Sequence, residues 1–350
     1  MFRPTNKSTP SRPTRRGALA ILVTPALLLA CSAAPTEVVA QTPYRADPAT
    51  KFLGNVWSQA QLEGFTEHWN QVTPENAGKW GPLEPNRDEL NWGPLDAAYA
   101  LAKDNGYVFR FHTLVWGNQQ PAWVSTLPPE EQLEELTERY AGIAARYPSL
   151  DYVEVVNEPM NDPPRQRNED DSTSGNYYEA LGGAGTTGYD WILTAFRMAR
   201  EYFPNSKLVL NDYNVTNSEE STERYLSIVK LLQAENLIDV VAIQGHAFST
   251  TGDTAVIHRN LDLLASSGLP LMVTEFELDG PTDEDQLAAY QRVFPIFWEH
   301  PSVVGITFWG WRPGMWRTRQ QAYLVREDGS ERPALTWLEE YVARTRAEAQ

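Results

Sequence analysis

The sequence has one cysteine and a shortage of positive charge, and both facts narrow what the protein can do. With Cys31 as its only cysteine, the chain cannot form an internal disulfide or build a metal site from several thiolates. Lys and Arg number 29 against 46 Asp and Glu, for a formal net charge of −17. Nucleic acid is therefore not an expected partner, whereas a neutral polymer such as a polysaccharide suits this charge.

The N-terminal region lacks an apolar run long enough to span a bilayer comfortably. Residues 18–30 are apolar but too short for that, and residues 1–16 carry five basic and no acidic side chains. This pattern predicts that residues 1–30 are a secretory signal. The signal ends in LLAC (28–31), which resembles a bacterial lipobox and predicts a lipid, and so a membrane attachment, on Cys31. Ordinary cleavage after Ala40 is the alternative.

Either cleavage predicts an exported protein. We expect a cell-envelope lipoprotein, in the outer membrane or periplasm, or a secreted protein. Residues 31–48 are rich in Ala, Pro and Thr, which predicts a flexible tether. Residues 49–346 are then expected to form a single folded domain that acts as a monomer.

Strand-like and helix-like segments alternate along this domain. The predicted strands cover residues 52–58, 70–76, 107–116, 152–159, 207–215, 239–248, 270–279 and 303–311. The amphipathic segments between and after them cover residues 95–103, 130–147, 189–203, 218–234, 254–264, 282–300 and 333–344. This order predicts an α/β fold, a parallel (β/α)8 TIM barrel. A doubly wound open sheet is the alternative, but no glycine-rich turn follows the first strand.

Two glutamates stand at the ends of two predicted strands. Glu158 is the next-to-last residue of YVEVVNEP (152–159), and Glu275 lies near the end of PLMVTEFELD (270–279). The carboxyl ends of the strands of a parallel barrel meet on one face, where such enzymes have their active sites. Two carboxyl groups brought together there predict glycoside hydrolysis.

Polar and aromatic side chains also stand at the same end of most other strands. Packing can explain any one of these residues as well as function can. Packing does not explain why they recur at the same end of nearly every strand. These residues are Glu75, Asn76, Lys79, Trp80, His112, Trp116, Gln119, Asn157, Asn211, Asp212, Gln244, His246, Glu277, Trp309 and Trp316.

The longest connection, residues 161–188, follows the fourth strand. Long loops at this end of a barrel are more often functional than idle. Tyr177 and Tyr178 in this loop are candidates for stacking on a sugar, and simple packing is the alternative.

Seven stretches together resemble family 10 of the glycoside hydrolases, the endo-β-1,4-xylanase family. They follow one another in the family's order and cover essentially the whole chain after the tether. The stretches are VTPENAGKW (72–80), HTLVW (112–116), VVNEP (155–159), LNDYN (210–214), IQGH (243–246), VTEFEL (273–278) and GITFWGW (305–311).

The resemblance implies a role for each matching residue. Glu158 would be the acid/base and Glu275 the nucleophile, while Asn157 would bind the 2-hydroxyl of the sugar at the cleavage point. His246 would hold Glu275, and Gln244 would lie beside Glu158. The other implied substrate-binding residues are His112 and Lys79 near the cleaved bond, Glu75, Asn76 and Gln119 one sugar further, Trp80, Trp116 at the floor, and Trp309 and Trp316 at the roof. No metal or organic cofactor is implied.

The sequence departs from the family pattern at three places. Gly117 follows Trp116 where many members have a second histidine, so a hydrogen bond in that corner is lost or replaced. Glu277 stands where aspartate is usual and is one methylene longer. The turn in WGWRPGMW (309–316) is one residue shorter than in familiar members.

The resemblance implies a retaining endo-1,4-β-xylanase that cleaves internal bonds of xylan or xylo-oligosaccharides. A β-1,4-glucanase of the same fold is the nearest alternative. A non-catalytic surface glycan-binding lipoprotein is an alternative of another class, and the presence of Glu158, Glu275, His246 and Asn157 argues against it.

Overall fold

The computed structural model describes residue 46, residues 50–165 and residues 176–348. The predicted signal, the lipobox with Cys31, nearly all of the predicted tether, and positions 166–175 of the long loop lie outside these residues.

Eight parallel strands close into a barrel in chain order, which confirms the predicted fold. The closing pair joins the first and last strands, with Leu53 opposite Ile306. The strands are β1 (Phe52–Trp57), β2 (Gln71–Pro74), β3 (Val108–Phe111), β4 (Tyr152–Asn157), β5 (Lys207–Asp212), β6 (Val240–His246), β7 (Leu271–Glu277) and β8 (Val303–Phe308). Each ends one to five residues before its predicted end, because the residues that follow turn into the loops of the barrel's carboxyl face.

The seven predicted helices are present, each within five residues of its predicted ends. Two four-residue helices, α1 and α2, were not predicted because they are too short to show a helical period. The helices are α1 (Phe65–His68), α2 (Trp80–Leu83), α3 (Gly93–Asn105), α4 (Pro129–Arg146), α5 (Asp190–Tyr202), α6 (Glu219–Ala234), α7 (Thr254–Ala265), α8 (Asp283–Trp298) and α9 (Pro333–Glu348).

Local sequence explains where several helices begin and end. The side chains of Ser218, Asp253 and Thr282 accept hydrogen bonds from the first backbone amides of α6, α7 and α8. Such caps satisfy amides that have no partner within the helix. Gly106 ends α3 with a φ of 67°, a conformation that glycine adopts without strain.

The barrel interior has an apolar floor and a polar layer above it. The floor is a separate cluster of Phe52, Val209, Val240, Ala242 and Met272. The larger apolar core lies between the barrel and its surrounding helices. Because side chains alternate along a strand, the next inward positions on β5 to β7 are polar, and these lead up to the carboxyl face. Among the described residues, no helix is both long and apolar enough to span a membrane.

Two irregularities in strand pairing bring extra side chains into the barrel. The register shifts between Glu154 and Val156 on β4, and Gln244 pairs with Glu275 directly after Ile243 pairs with Val273. An extra residue in one strand breaks the regular alternation of faces. Thr274 and Glu275, although adjacent, therefore both hydrogen-bond to Asn211 inside the barrel.

Candidate active site

A cavity of about 430 Å³ opens at the carboxyl face of the barrel. Thirteen of the fourteen predicted site residues line it, and Trp80 is the exception. Three residues that were not predicted, Asp162, Tyr213 and Phe248, complete the lining. The cavity therefore brings together nearly all the residues to which the resemblance assigns a role.

Glu158 follows directly after β4 and is 7% exposed. The Gln244 amide donates to its Oε1 at 2.8 Å, and the Trp116 indole donates to its Oε2 at 2.5 Å. Burial, followed by the negative charge of Glu275, raises the pKa of Glu158 to about 8. Glu158 is therefore protonated at neutral pH and has a proton to donate.

Glu275 has the opposite electrostatic environment. Burial alone would raise its pKa, but a hydrogen bond from His246 and the positive charges of His246, His112 and Arg110 outweigh burial and lower it. The Asn211 amide donates to its Oε1 at 3.0 Å, and the His246 Nε2 lies 3.3 Å from its Oε2. Glu275 is therefore ionised while Glu158 is protonated.

His246 lies between two carboxylates. Its Nδ1 is 2.9 and 2.8 Å from the two carboxylate oxygens of Glu277, while its Nε2 faces Glu275. Although burial lowers the pKa of His246, Glu277 and Glu275 together raise it to about 10, so both ring nitrogens carry protons at neutral pH. The longer Glu277 side chain also contacts the Trp316 indole nitrogen at 3.4 Å and the Arg317 Nε at 3.7 Å.

A chain of amides connects the two glutamates. Gln244 donates to both Glu158 and the Asn157 Oδ1, the latter at 3.2 Å. Asn211 donates to the same Asn157 oxygen at 3.0 Å and to Glu275. Because Asn157 accepts both bonds through its oxygen, its amide NH₂ is the group it can offer to a ligand.

A buried charged cluster beneath the cavity was not predicted. Glu154 forms an ion pair with Arg110, and its Oε1 lies 2.9 Å from the Nδ1 of His112. Arg110 also donates to the Thr274 carbonyl at 2.8 Å. The signal in the sequence was a single charge within each apolar strand, at positions read as strand interior. His112, Glu154 and Glu275 bring potential metal ligands within 4.8 Å of one another, but Arg110 already supplies a cation there.

The side of the cavity formed by the loops after β2 and β3 carries the hydroxyl-binding candidates. The Lys79 ammonium donates to the Asn76 Oδ1 at 2.9 Å and lies 4.9 Å from the centre of the Trp116 ring. Burial lowers the pKa of Lys79, although the charges of nearby carboxylates act to raise it. Trp309 packs edge-on against His112, with ring centres 5.0 Å apart.

The opposite side is more aromatic. The Phe248 ring stacks on His246 at 5.1 Å and is 38% exposed, while Trp316 is 49% exposed and lies edge-on to Phe248. Tyr213, from the loop after β5, packs against Phe248 at 5.9 Å. No pattern in the sequence distinguished Phe248, which is a lone aromatic residue in a short loop.

Trp80, which was predicted to bind substrate, is the one such residue that the structure does not bring to the cavity. Trp80 is 4% exposed and begins α2, and its indole donates to the Glu84 Oε2 at 3.0 Å. Its ring packs edge-on against Trp123 and Tyr177. The turn that places Lys79 in the cavity therefore directs the next side chain into the core.

Tyr177 and Tyr178 adopt the packing alternative rather than the stacking one. Both are buried, at 1% and 6% exposure. The Tyr177 hydroxyl accepts from the Trp116 backbone amide at 3.0 Å and donates to the Trp116 carbonyl at 2.5 Å. Tyr177 therefore holds Trp116 in place from behind the cavity.

At Gly117, the backbone of residues 162–163 occupies the space where a side chain would lie. A Cβ atom there would lie 2.2 Å from the carbonyl oxygens of both Asp162 and Pro163. The Gly117 amide donates to the Asp162 carbonyl at 2.9 Å. A backbone hydrogen bond thus occupies the corner, and no larger residue fits at position 117 without moving residues 162–163.

Comparison with known proteins agrees with this arrangement. The family model described as glycosyl hydrolase family 10 matches residues 45–341. The chain is 36% identical over 292 residues to endo-1,4-beta-xylanase B of Cellvibrio japonicus, covering 83% of this chain but only 45% of that relative's length. It is 32% identical over 295 residues to endo-1,4-beta-xylanase A of Fusarium oxysporum f. sp. lycopersici, covering 76% of this chain and 85% of the relative.

Solved structures share the fold. A glycosylated endo-beta-1,4-xylanase from Gloeophyllum trabeum superimposes with a TM-score of 0.70 at 26% identity, covering 85% of this chain and 98% of that one. Native xylanase 10B from Thermotoga maritima gives a TM-score of 0.73 at 24% identity, with 87% and 98% coverage.

Proposed function

The chain belongs to glycosyl hydrolase family 10, and from this membership we propose that it is a retaining endo-1,4-β-xylanase that hydrolyses internal β-1,4-xylosidic bonds of xylan. One observation carries the proposal. Glu158 and Glu275 line the same cavity, and their surroundings move their pKa values in opposite directions. A protonated and an ionised carboxyl group at one site are what double displacement requires.

In the first step, an oxygen of Glu275 attacks the anomeric carbon, and the bond from that carbon to the glycosidic oxygen breaks. Glu158 transfers its proton to the departing oxygen, so the leaving sugar departs with a hydroxyl group. The product is a glycosyl ester on Glu275 and an ionised Glu158.

In the second step, Glu158 takes a proton from water, and the water oxygen attacks the anomeric carbon. The ester bond breaks, Glu275 regains its charge and Glu158 regains its proton. The two inversions restore the original configuration. Asn157, held through its oxygen, donates its NH₂ to the sugar 2-hydroxyl, where hydrogen bonds strengthen in the transition state.

The loops after β2 and β3 bind sugars on the non-reducing side of the cleaved bond. Lys79 and His112 serve the first sugar, and Glu75, Asn76 and Gln119 serve the second; all five line the cavity. Trp116, Trp309 and Trp316 supply apolar faces for the sugar rings.

Product analysis of the mature protein on xylan and on carboxymethyl cellulose, by chromatography, tests the proposed function. We expect short xylo-oligosaccharides from xylan and little release from cellulose. Release chiefly from cellulose would assign the enzyme to glucan instead. Binding of xylan without release would contradict an enzymatic function.

The pH profile provides a second prediction. The hydrogen bond from Trp116 favours the charged form of Glu158 and therefore lowers its pKa. Trp116→Phe removes the donor, so the alkaline limb of kcat/KM on an aryl xylobioside is expected to move to higher pH by about half to one unit.

Trp309→Phe is the matched control for this profile. Trp309 lines the same cavity but makes no hydrogen bond to Glu158, so its loss should change rates without moving the alkaline limb. If the alkaline limb of Trp116→Phe stays at the same pH or moves to lower pH, the indole does not lower the pKa of Glu158.

We also propose that the enzyme is exported and held at the cell envelope by a lipid on Cys31. The support for this proposal is the sequence of residues 1–31, with its basic start, short apolar run and LLAC ending.

A further inference from the structure

Arg139 joins two loops of the active site from outside the cavity. It lies on α4, is 5% exposed and does not line the cavity. Its Nη2 donates to the Gly78 carbonyl at 2.6 Å and to the Thr113 carbonyl at 3.0 Å. Gly78 belongs to the loop after β2 and Thr113 to the loop after β3, so one nitrogen fixes both loops.

These two loops carry the side chains that bind the non-reducing sugars. Gly78 lies between Asn76 and Lys79, and Thr113 follows His112. The backbones of the two loops are in close contact at Gly78. A Cβ atom built on this glycine would lie only 2.2 Å from the His112 carbonyl oxygen. A shift at Gly78 or Thr113 therefore moves Asn76, Lys79 and His112 together.

Burying the charge of Arg139 costs free energy that its few contacts do not offset. Among the described residues, its Nε and Nη1 have no hydrogen-bond partner, and no carboxylate pairs with it. Its guanidinium carbon lies 5.8 Å from the centre of the Trp80 ring. Burial lowers its pKa to about 10, so it stays charged at neutral pH. An apolar side chain would avoid the cost of burying this charge, so packing alone does not explain the residue.

We propose that Arg139 is a positioning residue that aligns the loops after β2 and β3 for the second sugar on the non-reducing side of the cleaved bond. This inference rests on the proposed function. Arg139 contacts neither Glu158 nor Glu275, so it acts on sugar binding and not on proton transfer.

Loss of the Arg139 side chain should weaken binding of the second sugar more than binding of the first. The first sugar is also held by Asn157 and by the catalytic pair, which do not depend on Arg139. The second sugar depends on Glu75 and Asn76 in the β2 loop and on Gln119. Displacing a binding group by about 1 Å costs on the order of 10²-fold in rate.

The test compares two substrates, 4-nitrophenyl β-xyloside with one sugar and 4-nitrophenyl β-xylobioside with two. Arg139→Met should lower kcat/KM on the xylobioside by roughly 10- to 100-fold, and should lower the xylobioside-to-xyloside ratio at least about tenfold. Arg139→Lys should recover much of this ratio, because an ammonium group can donate to both carbonyls.

Arg200→Met is the matched control. Arg200 lies on α5 and also donates to two backbone carbonyls, those of Ser206 and Leu237, but at the amino end of the barrel, and unlike Arg139 it pairs with a carboxylate, that of Asp239 at 2.7 Å. It should lower the melting temperature and leave the substrate ratio unchanged.

Two outcomes would overturn the inference. A lower melting temperature of Arg139→Met with an unchanged substrate ratio would make Arg139 purely structural. If that variant does not fold, a ratio in Arg139→Gln equal to that of the wild type has the same meaning. The proposed function is judged separately on the wild type, because it fails if that protein releases nothing from xylan or releases sugars chiefly from cellulose.

Discussion

Glu275→Ala is expected to lower kcat on xylan by roughly five to six orders of magnitude, the scale of losing a catalytic nucleophile. Neither of two neighbouring carboxyl groups in the described part of the chain can replace it. Glu277 is turned toward His246, and Glu158 is protonated. Initial rates on an aryl xylobioside measure the loss, and intact mass after incubation with an activated 2-fluoro xylobioside tests for a covalent sugar.

The mass of the Glu275→Ala protein should stay unchanged, whereas the wild type gains one glycosyl group. A trapped sugar on the variant would refute Glu275 as the nucleophile. Added azide provides a positive control for folding, since a small anion can occupy the space of the lost carboxylate. The resulting glycosyl azide should have the inverted configuration, because only one displacement has taken place.

Glu158→Ala is expected to separate substrates by their leaving groups. On xylan, where the leaving oxygen needs a proton, kcat should fall by roughly 10²- to 10⁴-fold. A 2,4-dinitrophenyl xylobioside needs no such proton, so its first step should proceed at nearly the wild-type rate. The second step lacks its base, so stopped-flow absorbance should show a burst of dinitrophenolate followed by slow turnover.

Glu75→Ala is the comparison for this experiment. Glu75 is another carboxylate lining the cavity, and its proposed role is to bind sugar. Its loss should lower kcat/KM on both substrates by a similar factor. Equal losses of kcat/KM on both substrates in Glu158→Ala would show that Glu158 is not the acid.

Strand order and the position of the site were predictable because both depend on short-range patterns. Apolar segments such as YVEVV (152–156) alternate with amphipathic helices, and a polar residue stands at or directly after the end of nearly every strand. A parallel barrel brings those ends to one face whatever the details of packing. Glu158, Gln244 and Glu275 therefore meet as expected.

The sequence was least informative about side chains whose direction depends on packing. Trp80 directly follows Lys79 in the same motif, but the start of α2 turns it into the core. For Tyr177 the sequence left stacking on a sugar and packing both open, and the structure shows packing, with hydrogen bonds that support Trp116. Aromatic residues suit both settings, so composition alone does not separate them.

The irregular strand pairing on β4 and β7 could not be predicted from the sequence either. Strict alternation would place Thr274 and Glu275 on opposite faces of β7, and Glu154 and Asn157 on opposite faces of β4. The shifts in register turn all four toward Asn211, which they contact together. No turn residue or charge pattern marks these positions in the chain.

The charge of Glu275 also determines when Glu158 changes its role. In the free enzyme that charge helps to raise the pKa of Glu158 and keeps it protonated. Once Glu275 carries the sugar as an ester, its charge is gone, and the pKa of Glu158 falls. The residue that has just donated its proton is then stable as a carboxylate while it waits for water. Hydrolysis of the ester restores the charge and, with it, the affinity of Glu158 for the proton that it takes from water, so each half of the reaction prepares Glu158 for the other half.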